Sequence, residues 1–306
     1  MTNIISVNGP EAIWLLADRR LTRAGKIDKE DARKLMILET TDGIALLGYT
    51  GLGRTALGTE PADWMSAVLR GHNMPLGPSL WVLAKALEAQ FPRHLKQHHH
   101  GIIIPAFLNN EPKYYSLKFE FDPSSKKYRL RLEDMVIPNV CPGKVLISRL
   151  GAAGTGGYYL NETSKDWARD LLRLLNAHDR GRIGPWAIAD ELAKRNYDAY
   201  KALKDPKDPK YLSMKDTVGP DCIVVWRYRK NTTLRPGFAG GQQNYTGTTR
   251  STVGASIPEI SCGSNTGALI HALAARAAYD FARQPVPESV RALMSRVNLP
   301  PDKRLR

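Results

Sequence analysis

The residues at the start of the chain have the types that an N-terminal nucleophile needs. Thr2 follows the initiator methionine, so removal of Met1 would leave a threonine with a free α-amine. Such a residue can serve as nucleophile and base together, because its hydroxyl attacks while its own amine accepts the proton. An α-amine titrates at about 7.7–8.0, so much of it is neutral near physiological pH. The chain start therefore predicts acyl-transfer chemistry at Thr2.

Such a nucleophile needs three further groups. A cation must lower the pKa of the hydroxyl, a carboxylate must hold that cation, and a backbone N–H must stabilise the oxyanion. Lys34, Asp18 and the amide of Gly48 are groups of these types. Each also has an ordinary explanation: a hairpin-end ion pair of Asp18 with Arg20, a solvated lysine and a turn glycine. We predict a catalytic constellation because the groups occur together and in order.

The predicted strands bring these groups to strand ends. Two apolar runs, residues 4–7 and 12–17, flank a turn and predict a β-hairpin that ends at Asp18. Lys34 opens the next apolar run, and Gly48 follows the one after it. Side chains at strand ends can converge, so these elements could assemble the site.

This arrangement resembles the N-terminal half of a proteasome β-type subunit, or of its simpler bacterial relatives, in the N-terminal-nucleophile hydrolase superfamily. The family pattern is a mature N-terminal Thr, an Asp-x-Arg ending the second strand, a Lys beginning the third and a Gly closing the fourth. Thr2, Asp18 with Arg20, Lys34 and Gly48 have the family spacing without a gap. The resemblance implies a threonine-type peptidase with a peptide or small-amide substrate, no cofactor, and assembly as a homo-oligomer such as a ring.

Two later segments resemble the family less closely. The glycine-rich stretch 151–157 is similar to the family's Gly-Ser-Gly-Ser turn, with Thr155 in place of the first serine. Its spacing fits neither the Walker pattern nor the dinucleotide fingerprint. Asp216 and Thr217 are the nearest matches to an Asp and a Ser that precede the family's last strand, here residues 222–226, although the segment is shorter. The resemblance implies that these residues complete the hydrogen-bond network of the nucleophile; a turn cap is the ordinary explanation for Asp216.

The order of elements predicts an α+β fold, a four-layer αββα sandwich with two sheets face to face and helices outside. The predicted helices span residues 60–70, 79–97, 165–177 and 185–203. Strands are predicted at 102–131 and 144–148, after the first two helices, and at 222–226, after the last two. We expect a domain over residues 1–230 and a C-terminal extension over 231–306 that is partly irregular and carries one or two helices.

Composition restricts partners and cofactors. The net charge of +14 favours association with acidic surfaces, yet the basic residues are spread along the chain and no nucleic-acid motif accompanies them. We therefore expect no nucleic-acid partner, although charge alone leaves one open. The three cysteines, Cys141, Cys222 and Cys262, are scattered and odd in number, which argues against a disulfide framework or a zinc cluster. The adjacent histidines 98–100 cannot all face one metal, so no metal site is expected.

The absence of a long apolar run and of a signal-peptide layout favours a cytoplasmic protein without a membrane span. A second hypothesis remains open, a catalytically silent scaffold or binding protein, because a fold does not imply activity. Asn3, the short segment at Asp216 and the long extension motivate it. A retained Met1 would bind the amine of Thr2 in a peptide and remove its base. The sequence does not identify the substrate, the ring size or an ATPase partner.

Overall fold

The computed structural model describes residues 2–23, 26–51, 53–55, 58–91, 100–134, 150–163, 165–229, 243–245, 257–261 and 285. The strands are β1 (Asn3–Asn8), β2 (Ala12–Asp18), β3 (Leu21–Arg23), β4 (Lys26–Lys29), β5 (Leu35–Glu39), β6 (Gly43–Thr50), β7 (Gly101–Leu108), β8 (Glu111–Asp122), β9 (Lys127–Asp134), β10 (Leu150–Ala153), β11 (Cys222–Tyr228), β12 (Gln243–Tyr245) and β13 (Glu259–Ser261). The helices are α1 (Pro61–Leu69), α2 (Leu76–Gln90), α3 (Gly154–Thr163), α4 (Lys165–Asp179) and α5 (Pro185–Lys204), with a 3-10 helix at Pro209–Met214.

Two sheets form the centre of the fold. One has the strand order β10-β1-β2-β11-β12 and the other the order β13-β5-β6-β7-β8-β9, while β3 and β4 form a small hairpin. Among the described strands, β13 and β5 pair in parallel and the other neighbours pair antiparallel. The first sheet carries the N-terminal hairpin, and the second carries the strand that follows Lys34.

Three apolar layers hold the sheets and helices together. Ile4 and Leu15 pack between the two sheets, whereas their chain neighbours Ile5 and Leu16 pack against α4 and α5 on the outer face of the first sheet. A third cluster joins α1 and α2 to the outer face of the second sheet. Successive side chains of a strand point to opposite faces, so strands that are buried on both faces are continuous apolar runs. The predicted four-layer αββα sandwich is confirmed, and it is the architecture that the resemblance to the proteasome β-type family implied.

Several predicted elements differ in their bounds. Helix α2 begins at Leu76 and ends at Gln90, earlier than the predicted 79–97. The glycine-rich stretch was expected to be a turn, but α3 already begins at Gly154, directly after β10. Glycine disfavours a helix interior by about 1 kcal/mol relative to alanine, so tertiary packing overrides local preference here. The predicted strand at 144–148 lies outside the described residues.

The expected boundary at residue 230 does not separate the extension from the sheets. Strand β12 pairs with β11 at the edge of the first sheet, and β13 pairs with β5 at the edge of the second. Ile257 and Ile260 are buried, and Arg227 on β11 forms an ion pair with Glu259 on β13 at 3.4 Å. Residues from the extension thus complete both sheets, and the helices expected after residue 264 lie outside the described part of the chain.

Candidate active site

A buried ion pair joins the two sheets at one end of the sandwich. Asp18 is the last residue of β2, and Lys34 immediately precedes β5. Lys34 Nζ lies 2.8 Å from Asp18 Oδ1, and both side chains are fully shielded from solvent. Lys34 Nζ also donates to the carbonyl oxygen of Arg20 at 2.5 Å. The predicted cation and its carboxylate are therefore in direct contact, away from water.

The carboxylate of Asp18 is held from several directions. Its Oδ1 atom accepts hydrogen bonds from the backbone N–H of Asn3 at 2.8 Å and from Lys34 Nζ. Its Oδ2 atom accepts from the backbone N–H of Arg20 at 3.1 Å and from that of Gly219 at 3.0 Å. An ionised carboxylate can accept about four hydrogen bonds, so the four described donors use all of its acceptor sites. Through these hydrogen bonds, Asp18 at the end of β2 connects β1, the start of β5 and the segment before β11.

Burial lowers the pKa of Lys34. Desolvation lowers the pKa of the Lys34 ammonium below its ordinary value, and the positive charge of Arg20 acts in the same direction. The adjacent carboxylate of Asp18 opposes this shift and favours the charged form. A lysine in this setting gives up its proton at a lower pH than a solvated one, so its contact with Asp18 is what favours the positive charge at the site.

Thr2 lies directly beside this pair. Its peptide neighbour Asn3 donates the N–H that binds Asp18 Oδ1. Because a peptide C–N bond is about 1.33 Å long, the carbonyl carbon of Thr2 lies within about 4 Å of that oxygen. Thr2 is 2% exposed in the full chain, in which Met1 is still attached. The structure thus brings together Thr2, Asp18 and Lys34.

Arg20 connects the ion pair to the segment before β11. Its buried guanidinium donates to Glu30 at 2.5 Å and to the carbonyl oxygen of Asp216 at 3.1 Å. The carboxylate of Asp216 lies 3.6 Å from the same guanidinium, and the ring of Tyr200 lies 5.7 Å from it. Asp216 adopts a left-handed backbone conformation with φ of 57°. The predicted residue Asp216 therefore reaches the site through Arg20 and makes no described bond to Asp18.

Thr217 has a different role from the expected one. Its hydroxyl donates to the carbonyl oxygen of Met214 at 2.6 Å, which stabilises the local turn. In this segment, the backbone N–H of Gly219 donates a hydrogen bond to Asp18. A Cβ atom on Gly219 would lie 2.8 Å from the Cβ atom of Arg20, so only glycine fits this approach. The Gly219-Pro220 dipeptide, a common turn signal, was the available clue.

Gly48 does not lie at the end of its strand, because β6 continues to Thr50. Successive N–H groups of a strand point to opposite sides. The N–H of Tyr49 donates to the carbonyl oxygen of Lys34 at 3.1 Å, on the β5 side. The N–H of Gly48 therefore points toward β7, where Ile103 is opposite it. This orientation differs from the one that the predicted oxyanion role requires.

The missing side chain of Gly48 makes room in the layer between the sheets. A Cβ atom there would lie 3.0 Å from Leu15 Cδ2, 3.2 Å from Leu35 Cδ2 and 3.3 Å from Ile4 Cδ1. These distances are tighter than ordinary van der Waals contacts. Gly48 thus allows the two sheets to pack closely at Ile4, Leu15 and Leu35.

The glycine that closes β6 is Gly51. It follows Thr50 with φ of 132°, and a Cβ atom on it would clash with the ring of His100 at 2.1 Å from Nδ1. Gly51 lies one residue beyond β6, and the alternation continued from Tyr49 would direct its N–H to the Lys34 side. The sequence prediction chose the first glycine of Gly48-Tyr49-Thr50-Gly51, and only the observed strand length distinguishes the two.

Thr155 lies in the first turn of α3, next to the start of β1. Strand β10 pairs with β1 through Ile4 and Ala153, and α3 follows without a gap. A Cβ atom on Gly156 would lie 2.4 Å from Asn3 Cγ, so the helix start touches the residue after Thr2. The backbone thus brings Thr155 near the N-terminal segment that carries Thr2; the orientation of the Thr155 side chain lies outside the described part of the structure.

Two asparagines complete the site and were not predicted. Asn3 Nδ2 donates to Asn196 Oδ1 at 2.9 Å, and Asn196 Nδ2 donates to the carbonyl oxygen of Gly219 at 3.1 Å. Both asparagines are fully buried. Asn196 lies on the face of α5 that carries Ile188 and Leu192, eight and four residues earlier. A lone polar residue on an apolar helix face was the signal in the sequence.

The described residues contain no group of three or more histidine, cysteine or acidic side chains that could hold a metal ion. None of their helices is long and apolar enough to cross a membrane.

Solved structures with a similar fold exist. A Gly-1 mutant of Anbu from Hyphomicrobium sp. strain MC1 matches 93% of this chain and 98% of its own, with a TM-score of 0.47 and 12% identity. Anbu from the same strain matches 81% of this chain and 88% of its own, at 0.47 and 10%. Eukaryotic HslV from Trypanosoma brucei matches 73% and 98%, at 0.40 and 15%. No protein-family model and no curated protein sequence matches the chain. At these scores the likeness assigns no residue of the site, whose roles rest on its own geometry.

Proposed function

We propose that this protein is an N-terminal-nucleophile amide hydrolase, a threonine-type peptidase in which Thr2 acts after removal of Met1. The observation that carries the proposal is the water-shielded Asp18–Lys34 pair, whose carboxylate also binds the N–H of the residue after Thr2. A buried ion pair often contributes less than a well-packed apolar pair to stability. Its presence beside a potential N-terminal threonine favours a chemical role.

In the proposed reaction, the Thr2 hydroxyl attacks the carbonyl carbon of a peptide or small amide. The α-amine of Thr2 accepts the hydroxyl proton and later delivers it to the leaving amine. The ammonium of Lys34, held by Asp18, lowers the pKa of the hydroxyl by favouring its ionised form. The carbon–nitrogen bond of the amide then breaks. The amine fragment leaves with that proton, and the acyl fragment remains as an ester on the Thr2 oxygen. Water, activated by the same α-amine, then hydrolyses the ester and regenerates the site.

The negative oxygen of the tetrahedral intermediate needs a backbone donor. Loss of one such donor costs about 10²–10³ in turnover in other hydrolases. We assign this task to Gly51 in place of Gly48, because strand alternation directs the N–H of Gly51 to the Lys34 side and that of Gly48 to β7. Thr155 and Asp216 have supporting roles in this proposal, at the start of α3 and through Arg20.

We further propose that the active form is a cytoplasmic homo-oligomer, with a ring as the expected assembly. This part of the proposal rests on the resemblance of the N-terminal residues to proteasome β-type subunits. Light scattering and negative-stain microscopy of the purified native protein test it. A monomer at working concentration would contradict the proposed oligomer. The proposed chemistry at Thr2 would then be tested separately by peptide hydrolysis.

A catalytically silent binding protein is the second candidate. The use of the Thr217 hydroxyl in a local turn favours it. The two candidates predict different N-termini in protein from the native host. They also differ in whether a peptide aldehyde, which an N-terminal threonine attacks, modifies Thr2. A host-processed N-terminus and modification that is lost in Thr2→Ala would support the hydrolase.

A further inference from the structure

Four residues around the proposed nucleophile form a closed ring of hydrogen bonds. The backbone N–H of Asn3 donates to Asp18 Oδ1, and the side chain of Asn3 donates to Asn196 Oδ1. Asn196 Nδ2 donates to the carbonyl oxygen of Gly219, whose own N–H donates to Asp18 Oδ2. The ring joins β1, β2, α5 and the segment before β11. Each member therefore restrains the position of the others.

Packing alone does not explain an asparagine at position 196. Its side chain is fully buried on the apolar face of α5, where Leu192 and Ala199 are its helical neighbours. A buried carboxamide without hydrogen bonds costs several kcal/mol at worst, so apolar side chains are the usual occupants of such faces. Here both ends of the amide are bonded, one as acceptor and one as donor. The position has a directional requirement that an apolar residue cannot meet.

The ring leaves Asn3 little freedom. Its backbone is bound to Asp18 and its side chain to Asn196. On the opposite side Asn3 touches the first turn of α3, since a Cβ atom on Gly156 would lie 2.5 Å from Asn3 Cβ. Thr2 immediately precedes Asn3 in the chain, so any displacement of Asn3 also moves the proposed nucleophile. A displacement of about 1 Å from the reactive geometry can cost about 100-fold in rate.

We infer that Asn196 is a positioning residue: its carboxamide sets Asn3 and Gly219 in the places from which they hold Asp18, and so fixes Thr2 against the Asp18–Lys34 pair. The inference rests on the proposed hydrolase function for its catalytic consequence. Asn196 touches neither Thr2 nor the substrate carbonyl in this scheme. Its removal should therefore lower turnover more than substrate binding.

Two variants of similar volume separate positioning from packing. Asn196→Asp keeps an oxygen to accept from Asn3 but replaces the donor to Gly219 with a second acceptor, which repels its carbonyl oxygen. Asn196→Leu suits the apolar face of α5 but satisfies neither partner. Asn161→Ala, at an exposed position of α3, is the control. All three are compared with the wild type as full-length, host-processed protein.

The kinetic arm measures kcat and KM for hydrolysis of peptide amides, with thermal unfolding of each variant. We expect both Asn196 variants to lose about 10–100-fold in kcat with KM within about three-fold of wild type. Asn161→Ala should match wild type. A folded Asn196→Asp or Asn196→Leu protein with wild-type kcat would overturn the inference. So would a loss of activity that only follows the unfolded fraction.

A second arm does not depend on activity. Isotope labelling of asparagine allows the backbone N–H of Asn3 to be followed by NMR hydrogen exchange. We expect exchange at Asn3 to accelerate at least about ten-fold in the Asn196 variants and to be unchanged in Asn161→Ala. Unchanged exchange at Asn3 would show that Asn196 does not position it. If the wild type hydrolyses nothing while Asn3 exchange responds, the proposed function fails and the positioning stands.

Discussion

Lys34 Nζ lies 2.8 Å from Asp18 Oδ1, and this contact links the end of a strand in one sheet to the start of a strand in the other. Removal of one partner of a buried pair leaves an uncompensated charge in a low-dielectric site. The interface between the sheets thus contains a group that is costly to disturb. Because the same carboxylate binds the N–H beside Thr2, stability and the proposed chemistry depend on one contact.

Lys34→Ala should abolish hydrolysis and reduce the free energy of unfolding by about 3–5 kcal/mol, because Asp18 is left buried and unpaired. Chemical denaturation and peptide hydrolysis measure the two effects. Lys85→Ala, at a lysine of α2 with a 66% exposed side chain, is the matched control and should change stability by no more than about 0.5 kcal/mol. Equal stabilities of Lys34→Ala and the control would contradict the described pair.

The dependence of kcat/KM on pH should be bell-shaped. The acid limb reports the α-amine of Thr2, which must be neutral to act as base; α-amines in model peptides titrate at about 7.7–8.0. The alkaline limb reports Lys34, whose charge is needed and whose pKa is lowered by burial, with Arg20 adding to the shift and Asp18 opposing it. Activity should therefore decline at a pH below the ordinary lysine pKa of about 10.4. Activity that still rises beyond that pH would remove Lys34 from the mechanism.

The lowered pKa of Lys34 also affects stability. Between the folded and the unfolded pKa, the unfolded state binds more protons than the folded state. The free energy of unfolding contributed by this group therefore rises as pH increases through that window, and the cost of charging Lys34 is fully present below it. Comparison of the pH dependence of unfolding in wild type and in Lys34→Met isolates this contribution. A wild-type slope equal to that of Lys34→Met would show that the pKa of Lys34 is not lowered.

Much of the site could be predicted from the first fifty residues, because apolar runs define strand ends and strand ends define where Asp18 and Lys34 meet. The exact role of Gly48 could not. The choice between Gly48 and Gly51 depends on two further residues of strand pairing, which no local pattern reveals. Spacing predicts that a glycine is needed in this region, whereas backbone alternation determines whose N–H points to Lys34.

The contacts from later in the chain were beyond sequence reasoning for a different reason. Gly219 acts through its backbone N–H, so no side-chain type marks it. Asn196 lies 193 residues from its partner Asn3, and only its polarity on an apolar face distinguishes it. Strands β12 and β13 have three residues each, too few for a period to be visible.

Gly48→Ala should destabilise the protein by about 1–3 kcal/mol, because the new methyl group overpacks the layer between the sheets against Leu15 and Leu35. The kcat of the folded fraction should stay near that of wild type. Thermal unfolding combined with active-site titration separates the two quantities. A fully folded Gly48→Ala protein with wild-type stability, or with a kcat reduced by about 10² or more, would contradict a role for Gly48 in packing alone.

Glu259→Ala should reduce the free energy of unfolding, because it removes the ion pair that links β13 of the C-terminal extension to β11. Arg227 would lose the carboxylate that lies 3.4 Å from its buried guanidinium and, among the described residues, would keep only the charge of Glu39, at a cost of up to about 3–5 kcal/mol. Denaturation of this variant beside Glu120→Ala, whose partly exposed carboxylate pairs with Lys118 and Arg131 on β8 and β9, measures the difference. Equal stability of the two variants would contradict the described link between β11 and β13.

The proposed threonine mechanism depends most directly on the N-terminus of the mature protein. The measurement is intact mass and N-terminal sequencing of protein from its native host, followed by peptide hydrolysis with wild type and Thr2→Ala. We predict a mass lower by one methionine residue, a sequence that begins Thr-Asn-Ile-Ile, and hydrolysis that Thr2→Ala abolishes. A retained Met1, or hydrolysis that survives in Thr2→Ala, would contradict the threonine mechanism.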